Sequence, residues 1–357
     1  MTERTQSKIK FVGLHAHSVA GSIFDGLGFP QDHMDFAYQN GMDALALTDH
    51  GNQNGLAYQV LHAKKMKAEG KDFKPIFGCE AYFIPSIEEW KEEYEQVMLD
   101  KKKARAAKKA GASAASVEDE GASKGKSSNV LRRRRHLVLL AQNQTGLNNL
   151  FKLVSESYKD ENFYRYPRMD YKMLKEHGEG IIASSACLGG VYAGNYWENR
   201  EEGPEAVLEA MRDTTRQMVD VFGDRWHGEI QWNNVPEQHE LNKFVIQVCD
   251  EFGVKVISTA DSHYPNRDAW KDRELYKRLG WLGKGRPQWA DTESELPISV
   301  DEIGYELYPK NGDEMWDSYK SYSQMCGATY DDDFVLQSIE ETHRIAFDRI
   351  ENFLPDN

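Results

Sequence analysis

Short apolar runs alternate with longer amphipathic stretches along most of the chain. Seven runs are short and bounded by turn residues: FVGLHAH (11–17), ALALTDH (44–50), PIFGCEAYFI (75–84), HLVLLAQ (136–142), GIIASSA (180–186), GEIQW (228–232) and KVISTAD (255–261). That pattern predicts buried strands. Between them, apolar residues recur at helical spacing near 30–40, 54–69, 145–158, 204–221, 236–252 and 267–280. A strand followed by a helix needs a crossover before the next strand, so mostly parallel pairing is expected. About seven such units are too many for a small open sheet and fit an α/β fold closed into a (β/α) barrel.

Two stretches break the alternation. Residues 85–135 hold the charged, helix-prone SIEEWKEEYEQVMLDKKKARAAKKA and then GASAASVEDEGASKGKSSNVLRRRR, which has almost nothing to bury. The second half is expected to be a mobile insertion in a loop between two strands. Beyond about residue 295 the alternation fades, and DEIGYELYPKNGDEMWDSY and DDDFVLQSIEETHRIAFDRIENF predict peripheral C-terminal helices, the second after an acidic turn. The expected organisation is a barrel over 1–295 carrying the insertion at 85–135, then a helical extension over 296–357, packed on the barrel or leading away from it.

Composition narrows the function classes. With 40% hydrophobic and 29% charged residues among 357, the chain suits a globular protein with a charged surface. No run is long and apolar enough for a membrane span, and MTERTQSKIK lacks the apolar core of a signal peptide, so a cytoplasmic protein without a membrane partner is expected. Cys79, Cys187, Cys249 and Cys326 are widely scattered and form no CxxC pair, so neither a zinc finger nor a disulfide framework is indicated. A net charge of −14 argues against coating nucleic acid by general electrostatics. A role on DNA would need local positive charge, and bound divalent ions are one source of it.

In a parallel barrel, function gathers where the C-terminal ends of the strands converge. There lie His15 and His17, an H-x-H that strand alternation turns to one side, and His50 in TDHGN. Asp261 and His263 form a D-x-H after the last run, Asp25 lies in the loop after the first, and Glu80 lies within the third. Imidazoles and carboxylates so placed are the ligand types of zinc and similar metals. His136 stands at the N-terminal side of its run, and Cys187 reads equally as a ligand or as a small buried hydrophobe. His33, His62, His177, His227, His239 and His343 have no such company and read as ordinary polar residues.

In order along the chain, LHAHS, IFDG, ALTDHGN, KPIFGCEAYFIPS, HLVLLAQNQTGLNNLFKLVSES, SSACLGG and STADSHY resemble the PHP (polymerase and histidinol phosphatase) domain of the α subunit of bacterial replicative DNA polymerase III, from about residue 10 to about residue 350. The resemblance implies a distorted (β/α)7 barrel with three divalent metal ions, zinc, manganese or iron. Matched position by position, His15, His17 and Asp261 would hold one ion. Glu80 would bridge it to a second, completed by His136 and Cys187, and Asp25, His50 and His263 would hold the third. Glu80 and Asp261 then count as catalytic, as ligands of ions that activate water. Asp49 would sit behind the ligands and orient an imidazole. In the family the block headed by His136 follows a variable insertion, so Arg132 to Arg135 belong to that insertion and read as a solvated charge run.

The activity implied is metal-dependent phosphoester hydrolysis, as 3′–5′ exonuclease proofreading on a DNA 3′ end in replication, with a polymerase core or another replisome subunit as partner. Two other readings stay open: a structural metal-binding module that docks a polymerase core or proofreading subunit, and a stand-alone phosphatase resembling histidinol phosphatase. The chain stops where such a polymerase would continue into palm, fingers and thumb. A fragment, a split-polymerase subunit and a free-standing nuclease all fit that.

Overall fold

Six of the seven predicted runs become strands of one curled sheet in the computed structural model, which describes residues 3–109, 130, 133–282 and 306–355. The strands are β1 (Ala44–Leu47), β2 (Lys74–Phe83), β3 (Arg135–Ala141), β4 (Phe163–Tyr164), β5 (Tyr166–Met169), β6 (Ile181–Ser184), β7 (Trp226–Gln231) and β8 (Lys255–Thr259). Their order is β4-β5-β2-β3-β6-β7-β8, with β1 also on β2. The remaining run, 11–17, is not a continuous strand. It makes isolated parallel bridges, Gly13 to Leu45 and Ala16 to Ser262, and so joins β1 to the segment after β8 and closes the ring.

Pairing is parallel for β1 with β2, β6 with β7 and β7 with β8. The expectation of parallel neighbours fails at β3, which runs antiparallel to both β2 and β6. The physical reason is the insertion. Antiparallel strands join at one end without a crossover, so the chain leaves β2 and enters β3 at the same end of the barrel. The hairpin β4–β5 was hidden from the periodicity because only Arg165 separates two very short strands.

Helices cover the outside at Pro30–Gln39, Leu56–Ala68, Gln144–Ser157, Pro204–Phe222, Pro236–Phe252 and Trp270–Leu282, within a few residues of the predicted stretches. Tyr171–His177 and Val191–Asn199 are additional. The charged start of the insertion forms the helix Ile87–Lys109, anchored by buried Ile87 and Trp90. Of the mobile stretch expected after it, 111–129 and 131–132 lie outside the described residues, whereas its end is ordered, since Arg133 and Arg134 are placed and Arg135 opens β3. Gly312–Met325 and Asp332–Arg344 supply the C-terminal helices, and Asp331 of the acidic turn caps the latter by accepting from the Phe334 amide at 2.9 Å. No helix among the described residues is long and apolar enough to cross a membrane.

Inside the ring, Val12, Leu14, Ala44, Ala46, Ile76, Val138, Leu140, Ile182 and Ile257 form one buried aliphatic cluster. After Arg344 the chain turns in a short π-helix, Ile345–Arg349, and adds Ile345, Ala346 and Ile350 to that cluster as a floor. Burial of each large aliphatic side chain is worth roughly 2 kcal/mol. The Lys74 ammonium, buried at the same floor, donates to the carbonyls of Ala346 and Ile350 at 2.5 Å each.

Candidate metal centre

Because β3 runs antiparallel to its neighbours β2 and β6, its N-terminal end meets their C-terminal ends at one mouth. Register places Tyr82 opposite His136, while His50 bridges to Glu80. All nine side chains proposed from the sequence as ligands face this mouth. Glu80 Oε1 lies 3.1 Å from His15 Nε2, 3.1 Å from His136 Nδ1 and 3.8 Å from Cys187 Sγ. Glu80 Oε2 lies 2.5 Å from His50 Nδ1 and 3.6 Å from His17 Nε2. Asp261 Oδ1 is 3.2 Å from Nε2 of both His15 and His17. Asp25 Oδ2 is 3.1 Å from His50 Nε2 and 3.5 Å from His263 Nε2. Three compact groups of donor atoms result, His15–His17–Glu80, His17–His50–His263 and His50–Glu80–His136, each close enough to share an ion.

The donors sit close together without satisfying one another. His15 Nε2, His17 Nε2, His50 Nδ1, Glu80 Oε2 and Asp261 Oδ1 are buried and make no hydrogen bond, despite the short separations above. Buried polar atoms are almost always paired. Lone pairs aimed at common points at angles wrong for hydrogen bonding are what a cation requires, so the residues present fit divalent metal ions.

Within the cluster the charges hold one another. Burial drives every group here towards its neutral form, and neighbouring charges oppose it. His15 is held well above the usual imidazole range, because Asp261, Glu229 and Glu80 outweigh its burial. His50 is raised to about 10 against its burial by Glu80 and Asp25. His17, enclosed and stacked on His50 and His263 at 4.1 and 4.4 Å, is pushed well below that range by burial and by those rings. Glu80 stays well below the carboxylate range although fully buried, through His136, His50 and His15. Burial, then Asp261 and Glu80, push the Cys187 thiol up.

Backbone strain gathers at the same place. Five non-glycine residues among those described have left-handed φ, and three are Asp261 itself, Phe24 beside Asp25 and Ala186 beside Cys187. Each costs about 1–2 kcal/mol, and such strain marks positions where side-chain direction matters more than local stability.

Around the donors stands a layer that the sequence reading missed. Glu229 on β7, 2% exposed, accepts from His15 Nδ1 at 2.7 Å, Ser184 Oγ at 2.6 Å, Thr259 Oγ1 at 2.6 Å and Gln231 Nε2 at 3.2 Å. A glutamate within an apolar strand was the available signal, since a buried carboxylate needs several partners. Arg273 holds Asp25 through Oδ1 at 2.6 Å and its carbonyl at 2.8 Å, turning Oδ2 towards the histidines. Nothing in its helical surroundings marked it. Asp49, expected to touch an imidazole, accepts instead from Ser18 N, Ser18 Oγ and Ser22 Oγ, and only Ser22 Oγ reaches a ring, at 3.2 Å from His17 Nδ1.

The arginine block is not a solvated run. Arg133 makes a two-pronged pair with Glu93 at 2.8 Å for each contact, and Arg135 pairs with Glu198. Arg134, just before β3, lies over the Tyr166 ring at 4.0 Å. Specific partners thus replace solvation for the three described arginines of the run. Arg132 lies outside the described residues.

The family model described as the PHP domain matches residues 13–233. The chain is 34% identical over 256 residues to the DNA polymerase III subunit alpha of Aquifex aeolicus (strain VF5), covering 72% of this chain and 18% of that protein. It is 30% identical over 326 residues to the DNA polymerase III subunit alpha of Thermus aquaticus, covering 90% of this chain and 23% of that protein. The chain thus spans 18–23% of the length of these curated relatives. Among solved structures, an amidohydrolase from Chromobacterium violaceum aligns at a TM-score of 0.35 and 16% identity, over 74% of this chain and 96% of that one, a likeness too distant to bear on the site.

Proposed function

This chain belongs to the PHP domain family, and from that premise we propose that it is a metal-dependent phosphoesterase that removes nucleotides from the 3′ end of DNA. The observation that carries the reading is the convergence of five buried, hydrogen-bond-deficient donor atoms at one mouth. Three ions would be held, one by His15, His17 and Asp261, one by His136 and Cys187 with Glu80 bridging, and one by Asp25, His50 and His263. Bound there, divalent ions supply Lewis acidity and a lowered water pKa, the chemistry of phosphoester hydrolysis. Glu80 and Asp261 are the carboxylates that pull several donors onto shared points. Glu229 keeps the His15 Nδ1 proton outward, so that the Nε2 lone pair faces in.

A DNA strand is favoured over a small phosphomonoester because the relatives are named as a DNA polymerase subunit. The partners in that reading are a polymerase core or another replisome subunit, in the cytoplasm. Elemental analysis of the dialysed protein is expected to find about three zinc, manganese or iron ions per chain, and fewer in His15→Ala. Nucleotide release from a 3′-mismatched duplex should then exceed phosphate release from histidinol phosphate. Metal without turnover on either substrate would replace this reading with a structural, docking module, and the opposite substrate order with a phosphatase.

A further inference from the structure

A track of rings and guanidinium groups leads out of the metal centre. Tyr82 stands beside it, with its ring centroid 6.1 Å from His50 and 5.6 Å from His136. Tyr166 on β5 meets Tyr82 at 5.0 Å. Across these two rings lies Arg134, whose guanidinium carbon is 4.0 Å from the Tyr166 centroid and 5.5 Å from that of Tyr82. A guanidinium laid flat on a ring keeps its N–H edges pointed sideways, a fork suited to phosphate oxygens.

The support beneath is rigid. Arg168, fully buried, donates to the carbonyls of Arg133, Tyr164 and Tyr166, and so ties the backbone before Arg134 to the hairpin that carries Tyr166. Burial first, and then the positive charge of Arg134, lower the Arg168 pKa to about 10. Two cations are therefore held near one another beside a site for phosphoesters, an arrangement that an arriving anion relieves.

The hairpin carries the path around its tip, since Phe163, paired with Pro167, faces away from Tyr166, which is paired with Tyr164. Arg165, exposed at its tip, has a φ of 61°, a conformation natural to glycine and strained for arginine. The exposed arginine holds a guanidinium out at the tip of this turn. Next to it, Phe163 and Tyr158 stack at 5.7 Å with 24° between their planes, although both are largely exposed, at 41% and 47%. Exposed stacked rings interleaved with arginines are the elements of single-strand nucleic-acid binding, phosphates on the cations and bases on the rings.

We propose that Arg134, Arg165 and the Phe163–Tyr158 pair form a ledge that binds the last nucleotides of a single DNA strand and leads its end to the metal centre. Only the fate of that end rests on the phosphoesterase reading; the binding does not. Occupancy of the ledge explains how a chain of net charge −14 holds a polyanion, through a local basic strip and not through its overall field.

The test uses the full chain treated with chelator, so that nothing is cleaved, and a fluorescein-labelled single-stranded oligothymidylate followed by anisotropy across a salt series. Arg134→Gln and Arg165→Gly should each weaken binding roughly tenfold at low salt and flatten the slope of log K against log salt by roughly 0.7, one phosphate contact each. Phe163→Ala should also weaken binding roughly tenfold but leave the slope unchanged. Arg165→Gly relieves the strained φ, so its melting temperature should hold or rise, and lost binding in that variant cannot reflect misfolding. Wild-type affinity and slope in both arginine variants would overturn the ledge. So would a duplex that binds as tightly as the single strand, or inorganic phosphate competing as well as unlabelled oligonucleotide. If the variants behave as expected while the metal-loaded chain hydrolyses no phosphoester, the ledge stands and the phosphoesterase reading falls. Neutral variants in a chain that still trims 3′ ends give the reverse.

Discussion

The floor and the mouth of the barrel are built from the same staves and obey opposite rules. On β2, Ile76 lies in the floor cluster, and Glu80, four residues later on the same face, lies at the metal centre. The stave of β8 runs likewise from Ile257 to Asp261. At the floor the buried Lys74 ammonium has two carbonyls, and His227 Nε2 at the start of β7 is the exception left without a partner. At the mouth five buried atoms lack hydrogen bonds, at roughly 1–3 kcal/mol apiece. Stability is gathered at one end so that its opposite can be spent on unsatisfied donors, the division expected of barrels whose chemistry sits at the C-terminal ends of strands.

The largest effect should come from breaking the floor. Deleting residues 345–355 removes Ile345, Ala346 and Ile350 from the inner cluster and strips both acceptors from the Lys74 ammonium. Lost aliphatic burial costs roughly 2 kcal/mol per large side chain, and the opened floor admits water to the apolar cluster it had covered. Together these approach the whole stability of a domain. The truncated chain is expected to lose its cooperative thermal transition by circular dichroism, and added zinc should not restore it. A wild-type melting temperature in the truncated chain would show that the floor is a cover and not a support.

Sharpening the comparison needs a residue between the two ends, and Glu229 is that residue. Its carboxylate closes the polar layer above the aliphatic cluster and holds His15 from behind. Glu229→Gln keeps the volume and a hydrogen-bonding carbonyl but loses the charge that makes His15 a better donor. Metal affinity is expected to fall about 10- to 100-fold, as for other partners behind metal-binding histidines. The melting temperature of the metal-free protein should move far less than in the truncation. Titration with a competing chelator measures the first and calorimetry the second. A large loss of metal-free stability with unchanged affinity would assign Glu229 to the core instead.

The same division explains what could be read in advance. Apolar runs disclosed the staves and alternation disclosed that His15 and His17 face one way, because both properties are local. Strand direction is not local. His136 looked misplaced at the start of its run until β3 proved to run antiparallel to its neighbours, which brings that start to the mouth. Glu229 and Arg273 act on residues 214 and 248 positions away, so no spacing rule could have paired them with His15 and Asp25. Nor could charge patterning show that Arg134 would lie on Tyr166 while its two neighbours in the run found glutamates.

The smallest effect, and the most discriminating, is expected at Cys187. Its sulfur lies 3.6 Å from His136 Nδ1 and 3.8 Å from Glu80 Oε1, and it accepts from the Gly189 amide at 3.5 Å, at the more open edge of the mouth. As a ligand it would be the one soft donor in the set and would favour zinc over manganese. Replacing it should therefore alter metal preference more than fold stability. Cys187→Ser is expected to lower activity several-fold and to shift the zinc-to-manganese ratio towards manganese, whereas Cys187→His, offering a neutral nitrogen, should keep most of it. A purely packing role orders the variants the other way, because alanine would be tolerated and the larger histidine would crowd its neighbours. Space there is tight: a Cβ added at Gly189 would stand 3.2 Å from the His136 ring, so a displaced histidine at 187 has little room to retreat. Hydrolysis rate, bound metal and melting temperature of the Ser, Ala and His variants separate the two orders, and wild-type activity in Cys187→Ala would remove this thiol from the centre.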